Sequence, residues 1–300
     1  MRKKFLAFAV LSSITLSADV NVLTYAGETF YDKSRVNSLK DNSFSFGIYA
    51  EIKEKGSAWE LLFNNTTVAY KSNTLLKDFT QQDFVANYSK FYDSSKIKLG
   101  VHYVNNNESS LYKDLGSAYI GILGLEAQSN FNNNTLHYGI EAYYSVYLNA
   151  HTEFTRASTA FIDVTQFSPY LTHITRLSST LSNTLSLRLN AIAVTEYRDP
   201  GYLSFEVVDT MKYQSFYGSV KFLAGEMKSG VMNGGLEVYN TKDLVKGIYY
   251  FEAGYVVTPE LRCSASFDIR MMQEYRGDTL TYMPEVMNNS LFFSLNYTIK

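Results

Sequence analysis

Along most of the chain, apolar and polar residues alternate with a period of two. Phe44, Phe46, Ile48, Ala50 and Ile52 interleave with Ser43, Ser45, Gly47, Tyr49, Glu51 and Lys53. Leu136, Tyr138, Ile140, Ala142, Tyr144, Val146 and Leu148 interleave with His137, Gly139, Glu141, Tyr143, Ser145, Tyr147 and Asn149. The same pattern recurs in residues 97–103, 185–193, 216–224 and 263–271, and it closes the chain with Leu291, Phe293, Leu295, Tyr297 and Ile299 on one face. Strand side chains point alternately to opposite faces, so each segment has one apolar and one polar side. No helical period appears over a comparable length. The chain reads as all-β, with about fourteen segments centred on residues 20–28, 43–53, 57–70, 79–92, 96–105, 117–129, 135–149, 161–174, 184–197, 211–225, 230–240, 247–257, 261–275 and 289–299. Pro169 has no N–H for a ladder bond, so a bulge or strand end is expected there.

The links between segments say what kind of sheet this is. Residues 54–56, 93–95, 130–134, 226–229 and 258–260 are short turns rich in Gly, Asn, Ser or Pro. Residues 30–42, 106–116, 150–160, 198–210 and 276–288 are longer. Short and long links mostly alternate, which a soluble sandwich has no reason to do. A transmembrane antiparallel up-and-down β-barrel does, with short periplasmic turns and longer extracellular loops. With both termini periplasmic the strand number is even, and fourteen fits. The segments are also long enough to cross a bilayer at a steep tilt.

The N-terminus reads differently. Met1-Arg2-Lys3-Lys4 is basic, Phe5 to Leu11 is apolar, and Ser12 to Ala18 is small and hydroxylated, the layout of a secretory signal peptide. Residues 1–18 are assigned to it, and 19–300 to one barrel domain. A short N-terminal core helix is the alternative.

At this point the chain resembles bacterial outer-membrane β-barrels, and in size the fourteen-stranded monomeric porins of the OmpG kind. The last strand, Ser290 to Lys300, is similar to the C-terminal signal that the barrel-assembly machinery reads, although it ends in Ile299-Lys300 where a terminal Phe is usual. The resemblance implies an outer-membrane location and outer-membrane lipid and the assembly machinery as partners. It further implies a porin-like channel for small hydrophilic solutes or ions, without cofactor. Alternatives are a structural or adhesive barrel with a blocked lumen, a barrel lipase or protease, and a transporter of hydrophobic compounds of the FadL type.

Composition sharpens this only in places. Mean hydropathy is −0.15, which a barrel reaches by averaging a lipid face with a wet one. The 25 Tyr and 20 Phe suit strands. Trp59, Tyr70, Tyr88, Tyr92, Tyr103, Tyr112, Tyr138 and Tyr249 are candidates for interfacial girdles. The 27 basic and 29 acidic residues give no excess for nucleic acid. Cleavage after residue 18 removes three of the 27 (Arg2, Lys3, Lys4) and leaves 24 against 29, a net −5. Parity assigns Ile140, Ala265 and the single cysteine, Cys263, to lipid, and Ser145 and Ser266 to water.

The same parity places Lys53, Lys98, Arg188, Lys221, Arg262 and Arg270 on the lumen wall with Glu51, Glu60, Asp83, Glu126, Glu141, Glu196, Glu237, Glu252, Asp268 and Glu274. Six cations face ten anions, so a mildly cation-selective pore is expected unless the charges pair across neighbouring strands. Glu141, Arg188, Glu252 and Asp268 sit mid-strand and are the candidates for a constriction. Catalytic and metal motifs are not found. His102, His137, His151 and His173 lack metal-ligand spacing, there is no GxSxG, P-loop or GxGxxG, and His151-Thr152-Glu153 matches no defensible motif.

Overall fold

The computed structural model describes residues 18–33, 40–72, 78–107, 117–148, 162–194, 201–228, 244–273, 275–276, 281–282 and 284–299. The strands are β1 (Asp19–Phe30), β2 (Lys40–Glu54), β3 (Ser57–Tyr70), β4 (Phe79–Phe91), β5 (Ser95–Asn107), β6 (Ser117–Phe131), β7 (Asn134–Leu148), β8 (Ile162–Arg176), β9 (Leu181–Val194), β10 (Tyr202–Tyr213), β11 (Phe216–Lys228), β12 (Leu244–Val256), β13 (Leu261–Gln273), the two-residue β14 (Tyr275–Arg276) and β15 (Thr281–Tyr282), and β16 (Val286–Ile299). Strands β1 to β13 and β16 form a closed barrel in which each pairs with its sequence neighbours, and β16 pairs with both β13 and β1. Closure leaves no edge, which a sheet in lipid requires because no water is present to bond free N–H and C=O groups.

The alternation in sequence becomes an outside and an inside. Phe44, Phe46 and Ile48 are exposed on the outer face of β2, whereas Ser43 and Ser45 are buried on the inner face. On β16, Leu291, Phe293, Leu295, Tyr297 and Ile299 are all exposed, with Ser290 buried behind them. Aromatic pairs mark the outer face. Trp59 packs on Tyr88 with ring centroids 4.9 Å apart, as does Tyr103 on Tyr119. Tyr138 and Tyr249 are exposed there too. Tyr70 departs from the girdle expectation: on β3 it shares the inner-face parity of Val68 and packs with Val68 and Phe79. Tyr92 lies in a short turn, and Tyr112 falls outside the described residues.

Two expectations about strands are corrected. Residues 202–210 are not an outer loop but most of β10, which turns into β11 through Gln214-Ser215 alone. The expected strand at 230–240 lies outside the described residues, so the total of fourteen is reached with a different set. Pro169, expected to mark a bulge or strand end, sits inside an unbroken β8. Its pairing with β7 is continuous through Ile140↔Pro169, and the register to β9 is the same on either side of it. The register shifts that do occur lie between β2 and β3 and around β12, near the long links.

Inside, aromatic rings lie over glycines of the neighbouring strand. Tyr25 is paired with Gly47, and a Cβ at Gly47 would collide with its ring. The bare backbone lets Tyr25 cross β2 and donate its hydroxyl to Asn64 Oδ1 on β3 at 3.1 Å. Phe292 over Gly27, Tyr170 over Gly139 and Tyr217 over Gly254 repeat the arrangement. Each ring covers a backbone that a glycine would leave poorly packed, which stiffens the wall. From Asn64 a buried network continues. Asn64 Nδ2 donates to Asp83 Oδ2 at 3.0 Å, as does Gln81 Nε2, and His102 Nε2 lies 3.0 Å from Asp83 Oδ1.

Candidate functional site

The inner wall encloses a cavity of about 710 Å3, lined by residues from all fourteen barrel strands. Charges of alternating sign run along part of its middle: Lys98 on β5, Glu141 on β7, Arg188 on β9, Glu206 on β10 and Lys221 on β11. Both Lys98 and Arg188 bind Glu141, the former at Oε1 and the latter at Oε2, where Nη1 lies at 2.7 Å. Neither cation is on a strand adjacent to β7. Gly124 on β6 is in register with both Lys98 and Glu141. A Cβ there would lie 3.1 Å from Lys98 Cβ and 3.3 Å from its Cε, so the missing side chain is the passage through which the lysine reaches. On β8 the small Ser168 stands opposite Glu141, and Arg188 is in register with Tyr170. The guanidinium lies 5.0 Å from the centroid of Tyr170, a cation–π contact. Tyr143 donates its hydroxyl to Glu141 Oε2 at 2.7 Å. Glu206 faces Arg188 across the β9–β10 pair and takes Lys221 Nζ at 3.7 Å.

Two further carboxylates of the cavity wall are held by neutral donors alone. Glu60 accepts the Tyr49 hydroxyl at 3.3 Å and Asn87 Nδ2 at 3.1 Å. Glu252 accepts the Tyr250 hydroxyl at 2.9 Å and that of Tyr217 at 3.4 Å. Among the described residues neither makes an ion pair.

The remaining sequence-derived wall residues are distributed as follows. Glu51 pairs with Lys53 at 3.0 Å, nearer the short-turn end. Glu126 meets Lys96 at 3.1 Å, His137 Nδ1 at 3.2 Å and the Tyr170 hydroxyl at 2.6 Å. Asp268 takes Arg270 Nε at 2.8 Å along one strand face. Arg262 is exposed at the short-turn end. Asp83 faces inward but is fully buried in its network. Glu196, Glu237 and Glu274 fall outside the described residues. Sequence reasoning missed Lys96 and Glu206. Parity along β5 would have given Lys96, whereas Glu206 was hidden by reading β10 as a loop.

The cavity itself carries a smaller charge imbalance than the sequence-derived wall. Lys98, Arg188, Lys221 and Arg270 line the cavity against Glu60, Glu141, Glu206, Glu252 and Asp268, four against five. Exposure also changes along the axis. Toward the long-link ends, Val104, Ala118, Val164, Gln166 and Asn190 have no accessible surface, although they face inward. Toward the short turns, Lys53, Arg176 and Arg262 are exposed. The buried inward residues of β5, β6, β8, β9, β11 and β12 form one apolar arc, Val104, Ala118, Ile120, Val164, Ile192, Leu223, Val245 and Ile248. Asn64, Thr66, Gln81 and Asp83 of β3 and β4, with Asn288 and Ser290 of β16, make the other side polar. Among the described residues no three His, Cys, Asp or Glu side chains gather as metal ligands.

No protein-family model matches the sequence, and a comparison with curated proteins finds no match. Solved structures do match in shape. The TodX deltaS2S3 mutant monoaromatic hydrocarbon channel superposes with a TM-score of 0.53 at 10% identity, covering 97% of this chain and 92% of that one. The toluene transporter TodX of P. putida gives 0.52 at 10% identity, covering 97% and 91%. The NanC porin gives 0.47 at 12% identity, covering 92% and 100%. At such identities the TodX likeness is one of fold, and the fold is a closed, fourteen-stranded antiparallel barrel of the outer-membrane kind.

Proposed function

We propose that the chain is an outer-membrane channel that passes small hydrophilic solutes, with a mild preference for cations. The observation that carries this reading is the cavity lined from every barrel strand and crossed by charged side chains that keep accessible surface. Structural side chains need no such cavity, and an outer face this apolar needs lipid. Fixed charges inside a low-dielectric wall raise the local concentration of the opposite ion. Five carboxylates against four cations support a bias toward cations, smaller than the wall composition alone would give.

Each of the three described histidines has a partner. His102 is held by buried Asp83, His137 by Glu126, and His173 stacks on Phe131 at 6.4 Å. His151 falls outside the described residues. A second reading, the structural or adhesive barrel, is favoured by one observation: the buried inner wall toward the long links. Planar-bilayer recording of refolded protein separates the two. Discrete conductance steps support the channel, and a silent bilayer with correctly inserted protein supports the blocked barrel.

A further inference from the structure

We propose that the central cavity is a binding site for small organic ammonium ions, with the hydrocarbon body on its apolar side and the ammonium on Glu252. This rests on the channel reading and names the solute class that the same lumen selects. Two observations converge. First, one side of the cavity is apolar: Ile120, Ile122, Leu223 and Ile248 line it and belong to, or pack on, one cluster. Its volume of about 710 Å3 lies within the range of pockets that hold small organic molecules.

Second, the cations on the wall are committed. Lys98 and Arg188 hold Glu141, Lys221 holds Glu206, and Arg270 holds Asp268. An anionic solute therefore has to displace an existing pair. Among the described residues Glu252 receives only tyrosine hydroxyls, and Tyr250 links the two halves of the site. Its ring packs on the apolar cluster, and its hydroxyl donates to Glu252 at 2.9 Å.

Together these observations select the solute. A hydrated metal ion would leave the apolar arc unused, and a neutral hydrocarbon would leave Glu252 unmatched. An ammonium on a hydrocarbon body satisfies both.

The test uses refolded full-length protein with phenethylammonium, 2-phenylethanol, phenylacetate and ethylammonium as probes at low salt. Binding is read by saturation-transfer NMR in detergent and, separately, by current block in planar bilayers. Phenethylammonium is expected to bind about tenfold tighter than either 2-phenylethanol or ethylammonium, from one added charge-assisted contact or one buried ring. Phenylacetate is expected to bind weakest. Glu252→Gln, checked for folding by its unboiled gel shift, is expected to remove the preference for phenethylammonium over 2-phenylethanol. Equal affinity for phenethylammonium and phenylacetate overturns the proposal, as does a preference that survives Glu252→Gln. Should that variant fail to fold, the wild-type ranking of the four probes decides. A silent bilayer refutes the channel reading, while the NMR ranking still accepts or rejects the site.

Discussion

Lys98 and Glu141 lie on strands that are not paired with each other, and they are joined over Gly124, the residue paired with both. An inward side chain on β6 would block that bridge. Arg188 then reaches the same carboxylate from β9, so one glutamate ties together five consecutive strands, β5 to β9. The tie sits mid-wall, where fourteen strands leave a lumen too wide for side chains of an ordinary size to fill by themselves.

Replacing Gly124 tests the bridge directly. Gly124→Leu should push Lys98 off Glu141 and cost about 1–3 kcal/mol, the usual scale for forcing extra bulk into packed space. Gly124→Ala, whose Cβ meets Lys98 at 3.1 Å, should cost less. Refolding midpoints in urea measure both. Wild-type midpoints for both variants would mean that the bridge contributes nothing to the wall.

Parity yields a second prediction, with one revision. Arg at Ile140 or Ala265 should cost about 2–4 kcal/mol near the bilayer midplane, since both face outward in register with exposed apolar neighbours. Arg at Ser266, which lines the cavity, should be mild. Ser145 was expected to behave like Ser266 and does not qualify. It faces inward but has no accessible surface, and its Oγ lacks a partner, so a charge there should be costly too. Refolding titrations of the four arginine variants decide, and equal costs at Ala265 and Ser266 would reject the face assignment.

The alternation that gives parity was legible because each strand has lipid on one side and polar side chains on the other. Ser43 to Lys53 and Leu136 to Leu148 can be assigned to faces without any structure. The β10–β11 hairpin was not legible. Its turn is Gln214-Ser215, without Gly, Pro or Asn, and Gln214 itself takes the left-handed backbone at φ 53°. Val207-Val208 also blurs the alternation inside β10. For the site, parity named residues but not partners. That Lys98 meets Glu141, two strands away, depends on register and on a glycine between them, and no single segment contains that information. In the sequence β10 reads mostly as a loop, and the segment expected at 230–240 lies outside the described residues.

Closure offers a third prediction. β16 pairs with β1 from Val20↔Ile299 to Phe30↔Asn289, and with β13 along its other edge. Removing residues 291–300 takes away most of both ladders and leaves two open edges in lipid. The truncated chain should lose the heat-modifiable folded band on unboiled gels. Insertion at the wild-type level would show that the barrel closes without this strand.

The last prediction separates the two glutamates that sequence reasoning grouped together. Glu252 has no ion pair among the described residues, so Glu252→Gln removes one unit of negative charge from the wall and little else. The reversal potential in a KCl gradient should shift toward anions at low salt, and the shift should vanish near molar salt as screening shortens to a few ångströms. Glu141→Gln acts differently. It removes the carboxylate shared by Lys98 and Arg188 and leaves two cations without their partner. The shift toward anions should therefore be at least as large as for Glu252→Gln, and it should come with a stability loss of about 2–3 kcal/mol, the scale for losing a charged hydrogen-bond partner. Refolding midpoints and reversal potentials on the same two variants test the pair. Equal stability of both variants would show that Glu141 does not hold the wall together. An anion-selective wild-type pore would refute the charge argument and leave the barrel untouched.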